Sequence, residues 1–129
     1  MKQFLMIMFT LMLVLPGCSK EDYSKELNTG LSEAEAKFRE KDIIQAVASA
    51  SSFNDVAFVK FRFLVKKNVD KTEAIQLVDD FIAATQKYSR LDKNILDITD
   101  ISFDILNTDG VTLYKGSKRT KEPLIHWES

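Results

Sequence analysis

One cysteine, one histidine, one tryptophan, two prolines and four glycines occur in the 129 residues, and each scarcity removes a class of function. A single cysteine excludes an intramolecular disulfide, and with only His126 beside it no cluster for a structural zinc site is available. The glycines, at 17, 30, 110 and 116, fit none of the spacings that cradle a phosphate, so nucleotide-dependent catalysis is not expected. Basic charge is not in excess either. Lys and Arg number 18 against 19 Asp and Glu, a formal net charge of -1, so little is available to neutralise a nucleic-acid backbone and no nucleic-acid partner is expected. No cofactor or metal is expected.

What is present begins at the amino terminus. Met1-Lys2-Gln3 supplies a positive start, and Phe4 to Leu15 (FLMIMFTLMLVL) is an apolar run ending at Pro16. A run of about a dozen residues is short of the ~20 helical residues that cross a bilayer, and it matches the apolar region of a secretory signal. Leu15-Pro16-Gly17-Cys18 resembles the lipobox of bacterial lipoprotein precursors, although proline at its second place departs from the commonest pattern. The resemblance covers about the first eighteen residues. It implies removal of residues 1–17 as a signal peptide, lipid on Cys18 and an extracytoplasmic chain anchored to a bacterial membrane; it implies nothing about activity.

After Cys18, SKEDYSKE has no apolar period, so 18–26 reads as the lipidated cysteine and a polar tether, and 27–129 as one domain. Leu27, Leu31, Ala34 and Phe38 form one helical stripe, predicting a first helix from about Asp22 to Lys41 that overlaps the tether. Ile43 to Ser52 and Val56 to Lys66 flank the turn-like Phe53-Asn54-Asp55 and predict a hairpin. In its second strand Ala57, Val59, Phe61, Phe63 and Val65 share one face, and Val56, Phe58, Lys60, Arg62 and Leu64 the other. Asp70 with Glu73 fits a helix start, and Ala74, Leu77, Val78, Phe81, Ile82, Thr85 and Tyr88 keep helical spacing, so a second helix should pack on Phe61 and Phe63. Ile98 to Leu106 and Val111 to Lys115 predict a second hairpin around Asn107-Thr108-Asp109-Gly110, and Leu124 to Trp127 is an optional last strand. The expected fold is α+β, a small two-layer sandwich in the order α-β-β-α-β-β. The first helix is expected to cover the mixed face, with Phe38 against Phe58 and Leu64.

Chemistry is sparse. With Cys18 committed to lipid, Cys–His catalysis is removed, and His126 is the one possible base for a Ser-His-Asp triad; beside Trp127 near a strand end it reads instead as a solvated or hydrogen-bonded histidine, and no catalytic residue is expected. Asn107 to Gly110 has part of a calcium-loop pattern, but Ile105 stands at the first ligand place, so a plain turn is expected. Asp79 and Asp80, adjacent on a helix, point about 100° apart and do not make a shared-proton pair. Lys115 to Lys121 (KGSKRTK) reads as a solvated loop or a contact to anionic headgroups.

The charges Lys60 and Arg62, set between Phe58 and Leu64 in the middle of a strand, mark either a solvated face or charges that meet an acidic partner, and the sharper reading is an aromatic-and-basic docking surface for another protein. The function expected is therefore a lipid-anchored, non-enzymatic binding module with an envelope protein as partner, in assembly, immunity or exclusion. A small envelope hydrolase using paired carboxylates and a small-ligand-binding lipoprotein stay open as alternatives.

Overall fold

A computed structural model describes residues 22–128. The expected signal segment 1–17, the lipidation site Cys18 and tether residues 19–21 lie outside the described residues. The elements are α1 (Ser24–Arg39), β1 (Ile44–Asn54), β2 (Val56–Val65), α2 (Lys71–Ser89), the one-turn α3 (Ile95–Ile98), β3 (Thr99–Asn107), β4 (Thr112–Lys118) and β5 (His126–Glu128). They form one five-stranded sheet in the order β1-β2-β3-β4-β5 with helices packed on it, an α+β fold in the expected order. Helix α1 takes in residues 24–26, which the sequence assigned to the tether.

Local chemistry explains the boundaries. β1 and β2 are antiparallel and joined through the single residue Asp55, whose positive φ of 66° is tolerated by a short polar side chain. Phe53 and Asn54 thus belong to the strand rather than to the turn. α2 opens where the Asp70 carboxylate accepts the Glu73 N–H at 2.8 Å and closes at Arg90 in the left-handed conformation. It carries the chain over the sheet so that β3 runs parallel to β2, with Arg62 beside Asp104 and Phe61 beside Phe103. The β3–β4 turn is built by Asn107, whose side-chain oxygen accepts the N–H groups of Asp109 and Val111, while Gly110 takes φ 81°.

The core lies on one side of this sheet. β2 supplies Ala57, Val59, Phe61, Phe63 and Val65, and β3 supplies Ile101, Phe103 and Ile105, all buried. Phe81 of α2 sits 4.7 Å from Phe61 and 5.2 Å from Phe63 between ring centroids, as expected of the second helix. The first helix departs from expectation. Phe38 stacks on Phe63 at 5.2 Å and meets Phe81 edge-on at 5.1 Å, so α1 lies on the same face as α2 and does not cover Phe58 and Leu64. Its stripe of Leu27, Leu31, Ala34 and Phe38 buries more apolar surface against α2 and the Phe63 side than two half-exposed side chains offer. Gly30 permits the close approach of the helices, since a Cβ there would fall 2.5 Å from the Thr85 carbonyl oxygen.

Candidate functional site

With both long helices on one side, the opposite side of the sheet is the surface that β2 shares with its neighbours. Alternation along β2 points Val56, Phe58, Lys60, Arg62 and Leu64 outward. Phe58 is 37% exposed and Leu64 is half-buried. The strand pairings align these residues in rows. Ala48, Arg62, Asp104, Lys115 and Glu128 form one row, and Ala50, Lys60, Ser102, Ser117 and His126 the next.

In the first row the charges alternate in sign and satisfy one another. The Arg62 guanidinium donates from Nε to Asp104 Oδ1 at 2.7 Å and from Nη2 to Oδ2 at 2.8 Å, a two-pronged pair. These hydrogen bonds, and then the carboxylate charge, hold Arg62 above the ordinary arginine range. Lys115 reaches Glu128 at 3.0 Å. Arg62 thus meets an acidic partner, and the structure supplies it from within the fold. The same is not true of Lys60, whose row neighbours are an alanine and a serine and which has no acidic partner among the described residues. A shallow depression of about 260 Å³ lies beside these two side chains, lined by Ala48, Ser49, Ala50, Lys60, Phe61 and Arg62. It exists because β1 presents only small side chains where β2 presents long ones.

The remaining candidates are scattered. His126 is exposed, its Nε2 3.1 Å from Glu122 Oε2. Asp80 accepts from Gln76 at 2.7 Å and borders a depression with Glu40, Asp42 and Glu73, whereas Asp79 borders a different, apolar one with Ile82, Ile95 and Ile125. Ile105 is buried in the core and Asn107 spends its oxygen on turn N–H groups, so the partial calcium pattern is a hairpin turn. Among the described residues no three His, Cys, Asp or Glu side chains are placed to hold a metal ion.

The basic run Lys115 to Lys121 is corrected in part. It is not a loop throughout, because β4 extends to Lys118, and Lys118 is only 2% exposed. Its Nζ donates to the carbonyl oxygens of Leu96, Thr99 (3.1 Å) and Arg119 (2.7 Å). Burial lowers its pKa from the ordinary lysine value, opposed by the charges of Asp100, Asp97 and Glu122. Lys118 was hidden in sequence by its basic neighbours; the available signal was parity, since Gly116 and Lys118 fall on the core side once β4 is continued.

No protein-family model matches the chain. No curated protein matches it. A crystal structure of a sex pheromone precursor from Lactobacillus salivarius subsp. salivarius UCC118 is similar at 12% identity with a TM-score of 0.48, over 84% of this chain. The chain spans about 30% of the length of that neighbour, and the overlap falls below the level at which a shared fold can be asserted.

Proposed function

We propose that this protein is a lipid-anchored module of the bacterial envelope that works by binding another protein through the open face of its sheet, with Phe58, Lys60, Arg62 and Leu64 at the centre. One observation carries the reading: both long helices pack on one face, so the opposite face keeps a partly exposed phenylalanine and a lysine with no acidic partner among the described residues, around a fixed arginine. Arg62 is held in place before binding by Asp104, which lowers the cost of ordering it against a partner. Lys60 supplies the unbalanced charge. The partner best matched to this surface is a protein with an apolar side chain for Phe58 and an acidic one for Lys60.

Anchoring suits such a weak, small surface. Five residues separate Cys18 from Ser24, a tether of roughly 20 Å at full stretch. Lipid on Cys18 would confine the domain to a thin layer and raise its effective concentration near membrane partners. Asn28 of α1 bonds Ser51 at 2.6 Å, which puts the start of α1 at the Asp55 end of the sheet. β4 also finishes at that end, so exposed Arg119 and Lys121 are available there to anionic headgroups.

Cross-linking of the full-length chain in its own cells, with mass spectrometry of the lipid state and the captured proteins, tests the proposal. The expected outcome is acylated Cys18 and one dominant partner, lost in Cys18→Ala and in Lys60→Glu. Capture unchanged in Lys60→Glu removes the proposed surface, and an unmodified Cys18 removes the anchor. Arg62→Glu is a poorer probe, because it sets a second carboxylate against Asp104 and disturbs the sheet itself.

A further inference from the structure

The two edges of the sheet differ. β5 is three residues long, carries His126 and Glu128 on its outward side, and has Glu128 tied to Lys115. β1 is eleven residues long, contains no charged residue and no proline, and among the described residues pairs on one side only, with β2. Short length, charge, proline and bulges are the usual protections of a sheet edge. β1 has just one of them, a bulge near Gln45 at its start, which leaves Ala46–Asn54 in regular register with β2. Along that stretch the strand makes no backbone hydrogen bond to another described residue outside the β1–β2 ladder, so its second row of N–H and C=O groups is unpaired among the described residues.

We infer that this edge pairs with a second copy of the same chain, antiparallel about a two-fold axis through Ala50, joining two five-stranded sheets into one of ten. The sequence of the regular stretch, AVASASSFN, is self-complementary in this register. Ala50 opposes Ala50 of the second copy, Ala48 opposes Ser52, and Ala46 opposes Asn54 on the open face. On the core side Val47 opposes Phe53 and Ser49 opposes Ser51, so the buried Val47 gains an apolar neighbour and no charge meets a like charge. The nearest cations, the two Lys60 side chains, would stand three strand spacings apart, about 14 Å, beyond the Debye length of ~8 Å at physiological salt. A two-fold pairing of one strand with itself closes on two copies and leaves only the protected β5 edges outside, so it ends at a dimer. The two depressions beside Lys60 then meet across the axis, presenting the proposed binding face twice on one continuous sheet. The pairing itself requires only β1 and holds whether or not Cys18 is acylated.

The test is oxidative cross-linking of the full chain in whole cells, membrane-bound and unbound protein together, read as dimer on a non-reducing gel, with the unsubstituted chain as blank. Ala50→Cys places two thiols opposite one another within disulfide reach, whereas Asn54→Cys places them ~27 Å apart, beyond the ~7 Å limit between Cα atoms. Dimer from Ala50→Cys and blank-level signal from Asn54→Cys are expected. Within Ala50→Cys, adding Ala48→Glu and Ser52→Glu opposes like charges twice and should lower the yield about tenfold, while Ala48→Glu with Ser52→Lys opposes unlike charges and should keep it. Because both pairs charge the same edge, a general disturbance of folding would lower both. Equal signal at 50 and 54, equal loss in the two charge pairs, or an adduct of Ala50→Cys to a different protein overturns the inference.

Discussion

The sheet has two faces built from the same strands. On one, Phe61, Phe63, Phe103, Phe38 and Phe81 form a continuous aromatic cluster under two helices. On the other, alanines, serines and a row of alternating charges face outward with Phe58 among them. Each strand contributes to both by alternation, so the difference teaches where free energy is spent. The covered face holds the fold, and the open face is the one to which we assign binding.

Substitutions sharpen this contrast, beginning with the covered face. Phe61→Ala empties the centre of the cluster and should cost about 3–5 kcal/mol, a large share of a small domain's stability, read by urea denaturation. Lys118→Ala should cost about 2 kcal/mol, because it leaves three carbonyl groups without their donor in a buried place; retention of full stability would show that the ammonium is not needed there. Gly30→Ala gains helix propensity yet drives a methyl group into the Thr85 carbonyl and Ser89, and a net loss of about 1–2 kcal/mol is expected in thermal melts. On the open face, Asp104→Ala removes the partner of a guanidinium that is 55% exposed and should shift stability far less than any of these, because solvent screens the pair. An effect there as large as that of Phe61→Ala would erase the division between the faces.

Much of the covered face was legible in sequence. Alternation in VAFVKFRFLV and helical spacing from Ala74 to Ile82 are strong because each side chain on the buried side is apolar. The placement of α1 was not legible. An apolar stripe says that a helix face is buried and not which neighbour buries it; the deciding contact, Gly30 against Thr85 and Ser89, joins residues far apart in the chain. The candidate surface was legible as residues but not as electrostatics. Lys60 and Arg62 look alike along one strand, and only the parallel register of β2 with β3, forty-two residues on, gives Arg62 a carboxylate and leaves Lys60 a serine. Lys118 was concealed for a similar reason, since its burial depends on how far β4 runs.

The open face as working surface is tested most directly by placing a photo-activated cross-linking side chain at one position at a time in the full-length chain in cells. Phe58 on the open face and Ile75 on the outer side of α2 have matching exposure, 37% and 38%, and so serve as a fair pair. Adducts to one protein from position 58 and none from position 75 are the predicted result. Adducts from both positions alike, or from 75 alone, would contradict it.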